Sequence, residues 1–273
     1  MLENKNIYAE SKLIINKDEC YFYHTMDIPG YGVTEGEWDL RGRENKYLGG
    51  FNFKGKRVLE VGVASGGLCF YMEKQGAEVI AYDLSDKQEW DVVPFEKTNK
   101  EIFLSKYRND INRINNSFWL AHRVYKSKAK MVYGSIYSIP PEIGMVDVVI
   151  FGSILLHLRD PFLALQNASR LARETVIITD ALSIRKFGFL ANFLGKFTKP
   201  CLQFLPDYSK NSPQDAWWNL NLEVIKKFIG VLGFEKTKTT YHFQKQKNNR
   251  KRLLFTVVGQ KRSAKQVTIS GIK

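Results

Sequence analysis

Leu59-Glu60-Val61-Gly62-Val63-Ala64-Ser65-Gly66-Gly67 decides the fold of this chain, because an apolar strand runs directly into a glycine-rich turn. Val58, Leu59 and Val61 carry the strand, Gly62 and Gly66 set the spacing Glu-x-Gly-x-x-x-Gly, and Leu68-Cys69-Phe70-Tyr71-Met72 opens the helix beyond. Ala77-Glu78-Val79-Ile80-Ala81-Tyr82 reads as the next strand and ends on Asp83. A β-carbon at Gly62 or Gly66 would obstruct a ligand lying against the backbone, so the turn is expected to receive one. An acid roughly 20 residues past such a turn can accept hydrogen bonds from the hydroxyls of a ribose.

The turn lacks the Gly-x-Gly-x-x-Gly order that cradles a pyrophosphate on a helix N-terminus. Glu60 argues the same way, since a carboxylate near the turn repels phosphate and suits an amine. A ligand that pairs a ribose with an ammonium group and carries no phosphate is S-adenosylmethionine. Further strands are expected at Ala129–Tyr133, Val146–Phe151, Thr175–Thr179, Phe234–Phe243 and Arg252–Val258. Tyr107, Ile111, Ile114, Phe118, Ala121 and Tyr125 keep the spacing of one amphipathic helix. Asp160-Pro161 and Asn221 suit helix starts, and Gly233 suits a helix end. Strands alternating with helices predict an α/β fold, a doubly wound, mostly parallel sheet with its ligand at the strands' carboxyl ends.

The glycine turn resembles motif I of the class I S-adenosylmethionine-dependent methyltransferases, with Asp83 in the place of the ribose-binding acid. That resemblance implies a seven-stranded Rossmann-like sheet and adds Ala64 and Leu84 to the cofactor contacts of Glu60, Gly62, Gly66 and Asp83. Gly134-Ser135-Ile136-Tyr137 resembles the adenine-binding turn, with Ser135 where an acid is common, and Gly152 falls at the end of the fourth strand. A narrower likeness joins Tyr23-His24-Thr25-Met26-Asp27, Trp38-Asp39-Leu40-Arg41 and Trp217-Trp218-Asn219. These segments resemble a bacterial group related to the tRNA wobble-uridine carboxymethyl and methoxy transferases.

The expected organisation is an N-terminal cap over 1–50, a methyltransferase domain over 51–260 with a lid-like insertion at 182–221, and a flexible basic tail at 261–273. The 273 residues are 44% hydrophobic and 25% charged, which suits one compact soluble domain. Met1–Lys5 has no apolar core like that of a secretory signal, so a cytoplasmic location is expected. Cys20, Cys69 and Cys201 have no metal spacing and read as reduced thiols.

Methyl transfer to oxygen needs a base, for which histidine is suited. His157, just beyond the fourth strand, and His24, beside Tyr23 and Asp27, are the catalytic candidates; each also has a purely structural reading. Trp38 and Arg41 are candidates for the methionine end of the cofactor, by stacking or by pairing with its carboxylate. Tyr23, Trp217 and Trp218 are candidates for the acceptor, and Trp217 and Trp218 can equally seal a lid. Phe187, Phe189, Phe193 and Phe197 with Lys186 and Lys196 describe a lid over the acceptor or a helix on a membrane surface. Lys226 to Lys265 holds twelve Lys or Arg against Glu235 alone, within a formal net charge of +13. That face suits RNA, a phosphorylated partner or an anionic membrane. The leading expectation is methyl transfer to an oxygen of a small-molecule or carbohydrate-like acceptor. A transferase modifying a tRNA wobble uridine and a non-catalytic cofactor-binding subunit are the alternatives.

Overall fold

The computed structural model describes residues 7–182 and 199–262. In chain order the elements are Met26–Ile28 (β1), Gly32–Thr34 (β2), Trp38–Asp39 (β3), Glu44–Tyr47 (α1), Arg57–Val61 (β4), Gly67–Lys74 (α2) and Glu78–Asp83 (β5). Lys100–Tyr125 (α3), Lys130–Tyr133 (β6), Val146–Gly152 (β7), Pro161–Ser169 (α4) and Ala172–Ala181 (β8) follow. Leu202–Phe204 (β9), Trp218–Leu220 (β10), Leu222–Val231 (α5), Lys236–Gln246 (β11) and Lys251–Gln260 (β12) complete the described chain. Phe187, Phe189, Phe193, Phe197 and their lysines lie outside the described residues, as does the tail from Ser263.

The central sheet has the order β3-β11-β12-β8-β7-β4-β5-β6. From β8 to β6 the strands are parallel, and β12 and β11 enter antiparallel. The sheet has eight strands where seven were expected. The addition is β3, whose Trp38 and Asp39 pair with Gln246 and Lys245 at the outer edge of β11. Two residues of the N-terminal cap thus extend the sheet, a pairing that no hydrophobic alternation in so short a segment announces.

Strand alternation divides the core in two. Val58, Val148, Ile150 and Ile177 face α2, α3 and the cap, whereas Leu59, Val149, Val176 and Ile178 face α4 and α5. The helix signals act as the sequence predicts. Asp160 accepts the Leu163 N–H at 2.9 Å with Pro161 in the first turn, Asn221 accepts the Val224 N–H at 2.9 Å, and Gly233 follows α5 at φ +91°.

The cap is fixed to the sheet by buried polar groups. Thr179 and Thr256 both donate to the Tyr47 carbonyl oxygen, at 2.6 and 2.8 Å, and so satisfy the end of α1. With the Thr256 proton committed there, His242 Nε2–H donates to Thr256 Oγ1 at 2.9 Å, and Gln244 donates to His242 Nδ1 at 3.1 Å. Burial, aided by Lys46, lowers the His242 pKa to about 4, so the neutral imidazole is the form that fits. Thr256→Val deletes one donor and leaves buried His242 without its acceptor. It should lower stability by about 1–3 kcal/mol, read as a reduced denaturant midpoint at unchanged slope; an unchanged midpoint would show that the network does not hold the cap.

Candidate functional site

The strand order reverses at β4, which has β5 on one side and β7 on the other. A crevice forms at such a point beyond the carboxyl ends of the strands. Here it is a cavity of about 400 Å³, within the size range of small-ligand sites. Gly62 after β4, Asp83 ending β5, Ser135 after β6 and Gly152 ending β7 all line it, together with Ala64, Leu84 and Ile136.

The turn after β4 is built on left-handed backbone, with φ of +78° at Gly62, +50° at Ala64 and +86° at Gly66. Asp83 supports it: one carboxylate oxygen accepts the Ala64 N–H at 2.7 Å and the other the Leu84 N–H at 2.7 Å. Burial raises the Asp83 pKa to about 6 despite those two donors. The glycines serve packing more directly than the sequence suggests. A β-carbon at Gly62 would strike Ile154 Cδ1, and one at Gly66 would meet Phe70 and Phe118. Gly66 is therefore outside the cavity lining and sets the helix start, not the ligand surface.

Several expected contacts lie elsewhere. Glu60 shares the face of Val58, is buried and does not line the cavity; burial and then Asp83 push its carboxyl well above the usual range. Burial thus disfavours its charged form, and its position outside the lining does not suit a counter-charge for a ligand amine. Arg41 forms a two-point ion pair with Asp39 at 2.8 and 2.9 Å and lines a separate hollow of about 550 Å³ on the cap side of α2. Trp38 is engaged at the sheet edge and bonds the Tyr23 side chain. Trp217 and Trp218 also stand outside the cavity lining. Their indole N–H groups donate to the carbonyls of Asp91 at 2.7 Å and Arg159 at 3.1 Å, which suits the sealing role.

The two histidines separate. His24 is buried behind the turn: its N–H donates to Ser65 Oγ at 2.8 Å, and its Nδ1 accepts the Gly67 N–H at 3.4 Å. Burial lowers its pKa to about 4, and it lines the cap-side hollow, not the cleft. It supports the loop. His157 lines the cleft, and its Nδ1–H donates to the Asp215 carbonyl oxygen. That bond fixes the tautomer and leaves the Nε2 lone pair available as a proton acceptor.

Tyr23 lines the cleft as expected of an acceptor contact, joined by residues that the sequence reading did not select: Tyr21, Trp90, Tyr107, Asp110 and Asp215. Trp90 stacks on Tyr107 with centroids 5.0 Å apart, and His157 meets the Trp90 ring edge-on. Asn115 was also missed. It is buried in α3 and donates to the Leu84 carbonyl at 3.0 Å. A polar residue on the apolar stripe of a helix is the signal by which the sequence could have shown it.

A family model described as a methyltransferase domain matches residues 40–226. The chain belongs to that methyltransferase family. Among solved structures, the methyltransferase resembles the N-terminal domain of EvdMO1 crystallised in the presence of SAH and D-fucose, at 13% identity. The match has a TM-score of 0.55 and covers 90% of this chain and 94% of that one. The same domain with SAH bound matches at 13% identity and a TM-score of 0.52, with coverage of 90% and 94%. Magnesium protoporphyrin IX methyltransferase from Synechocystis PCC 6803 with bound SAH matches at 16% identity and a TM-score of 0.47, over 78% of this chain and 79% of that one. No curated protein matches the sequence.

The residues present fit S-adenosylmethionine. A half-buried carboxylate at the end of β5 faces a cleft of nucleoside size, with no Lys or Arg among the described lining residues to recruit phosphate. Asp83 must be ionised to accept from two ribose hydroxyls, and its pKa near 6 gives the sign of the pH effect. Affinity for S-adenosylmethionine should be flat from pH 8 to 7 and weaken below 6, approaching about tenfold per pH unit. Asp83→Asn should bind more weakly throughout and lose this dependence; calorimetric titration across pH checks it, and an unchanged profile in the variant would remove Asp83 from the binding step.

Proposed function

We propose that this methyltransferase moves a methyl group from S-adenosylmethionine to a hydroxyl oxygen of a small, carbohydrate-like acceptor. The observation that carries the reading is His157, held by the Asp215 carbonyl, with no hydrogen-bond partner on Nε2 among the described residues, and lining the same cavity as Gly62 and Asp83. When bound, S-adenosylmethionine supplies an electrophilic methyl group that passes to the acceptor oxygen while the carbon–sulfur bonding pair stays on sulfur. The chain's task is alignment and proton removal. Asp83 orients the ribose, and the turn from Gly62 to Ala64 receives the ligand against backbone. His157 Nε2 takes the hydroxyl proton as the new carbon–oxygen bond forms. The fold-level likeness to a domain crystallised with SAH and D-fucose supports a sugar-like acceptor.

A second reading, modification of a tRNA wobble uridine, draws support from the lysines and arginines of β11, β12 and the turn between them. The cleft argues against it, because its described lining carries Asp83, Glu89, Asp91, Asp110 and Asp215 without a Lys or Arg. Such a surface repels phosphate.

His157→Gln tests the leading reading. With a panel of free monosaccharides that includes D-fucose, and methylated product read by mass spectrometry, turnover should fall by about 10²–10⁴-fold, the usual contribution of a general base. Affinity for S-adenosylmethionine should stay within about twofold, as expected for a residue acting on the acceptor. Undiminished turnover would remove His157 as the base.

A further inference from the structure

We infer that the acceptor carries a positively charged amino group, seated between Asp110 and Asp215 against the rings of Trp90 and Tyr107. This rests on the proposed methyl transfer and names the charge of the molecule that enters the acceptor end of the same cleft.

The cavity itself defines the site, and its charge is contrary to that of the protein. The chain has 41 Lys and Arg against 28 Asp and Glu, yet the described lining of the cleft has five carboxylates and no Lys or Arg. Three of the five are already engaged. Asp83 takes two backbone N–H groups, Glu89 pairs with Lys100 at 3.3 Å and Arg108 at 4.0 Å, and Asp91 accepts from the Tyr137 hydroxyl and the Arg159 N–H. Asp110, on α3, and the side chain of Asp215, before β10, have no hydrogen-bond or ion-pair partner among the described residues. Both are half-buried. A ligand of opposite charge can therefore gain a charge-assisted contact at either acid without first breaking an existing pair.

The surroundings select what kind of cation fits. Asp110, Asp215 and Tyr107 line the same cleft, and burial, followed by the charges of Asp215 and Asp110, raises the Tyr107 pKa to about 12. Asp110 likewise acts on Tyr21 and Asp215 on Tyr23. All three tyrosines stay neutral at pH 7 and offer hydroxyl donors and acceptors along with π faces. Trp90, stacked on Tyr107, adds the largest face. Two carboxylates, stacked rings and phenolic hydroxyls along one cleft suit an ammonium group on a hydroxylated frame. His157 stands edge-on to Trp90, which puts the base next to that seat. The acceptor class is therefore an amino sugar or a similar amino alcohol, methylated on an oxygen near its ammonium group.

The test uses D-fucosamine, N-acetyl-D-fucosamine, D-fucose and cyclohexylamine as probes. Each is titrated by NMR into the full-length protein saturated with S-adenosylhomocysteine, in wild type and in Asp110→Asn/Asp215→Asn. The proposal expects D-fucosamine to bind at least about tenfold more tightly than its neutral N-acetyl and hydroxyl counterparts, the size of one charge-assisted contact. The double variant should lose that preference and keep its affinity for S-adenosylmethionine. Equal binding of charged and neutral sugars, binding of none of the probes, or a preference that survives the double variant would each overturn it. Loss of S-adenosylmethionine affinity in the variant would also overturn it, because the acids would then serve the donor's own ammonium group. The two readings fail separately: cyclohexylamine binding as tightly as D-fucosamine retains the charge and removes the sugar, whereas D-fucose binding as tightly as D-fucosamine does the reverse.

Discussion

The Asp83 carboxylate is the joint on which the site depends. It ends β5, yet it accepts the N–H of Ala64 in the turn that leaves β4, so it binds two neighbouring strand-to-helix connections together. Ala64 holds a left-handed conformation that a non-glycine residue rarely adopts, and this bond helps to over-determine it. The same carboxylate is the ribose acceptor in the proposed reaction. In that proposal one group shapes the turn and receives the ligand, and burial raises its pKa to about 6.

Around that joint the chain arranges two supports. His24, neutral in a buried setting, accepts the N–H at the start of α2 and is itself anchored to Ser65. The cap is thus connected to the glycine turn by hydrogen bonds as well as by packing. On the other side, Tyr47 accepts from Thr179 and Thr256 through its carbonyl oxygen, while its hydroxyl meets Ser153 Oγ at 3.0 Å beside Gly152. The cap consequently reaches the cleft wall at Ser153.

The parts of this architecture written as local pattern were legible in the sequence. β4, β5, β7 and β8 are near-continuous apolar runs, as expected for strands covered on both faces, and Asp160, Asn221 and Gly233 punctuate helices at short range. The turns that line the cleft were legible for the same reason, since each directly follows a strand. What escaped was side-chain pairing and tertiary placement. Arg41 is as plausible a carboxylate ligand as any arginine until Asp39, two residues earlier, is seen to occupy it. Asp91 and Asp215 lie in irregular segments with no periodicity, and only the fold brings them to one cavity. Tyr107, Ile111 and Ile114 were read as a packing stripe, yet the same side chains line the cleft. Periodicity reports that a face is covered and does not say whether protein or ligand covers it.

Charge is distributed between inside and outside in opposite senses, and that distribution bears on function more than the net value does. The lysines and arginines of β11 and β12 are largely exposed, where water and salt screen them, so a Debye length of about 8 Å limits what they contribute to the cleft. The carboxylates of the cleft sit in a less polar setting with aromatic neighbours, where the same charge acts more strongly. A basic isoelectric point of about 9.5 would suggest an anionic substrate if charge were averaged over the molecule. The reacting groups respond to the local field, and that field is acidic. It disfavours a phosphate in the cleft. The net charge of the chain and the charge of its cleft are thus opposite in sign.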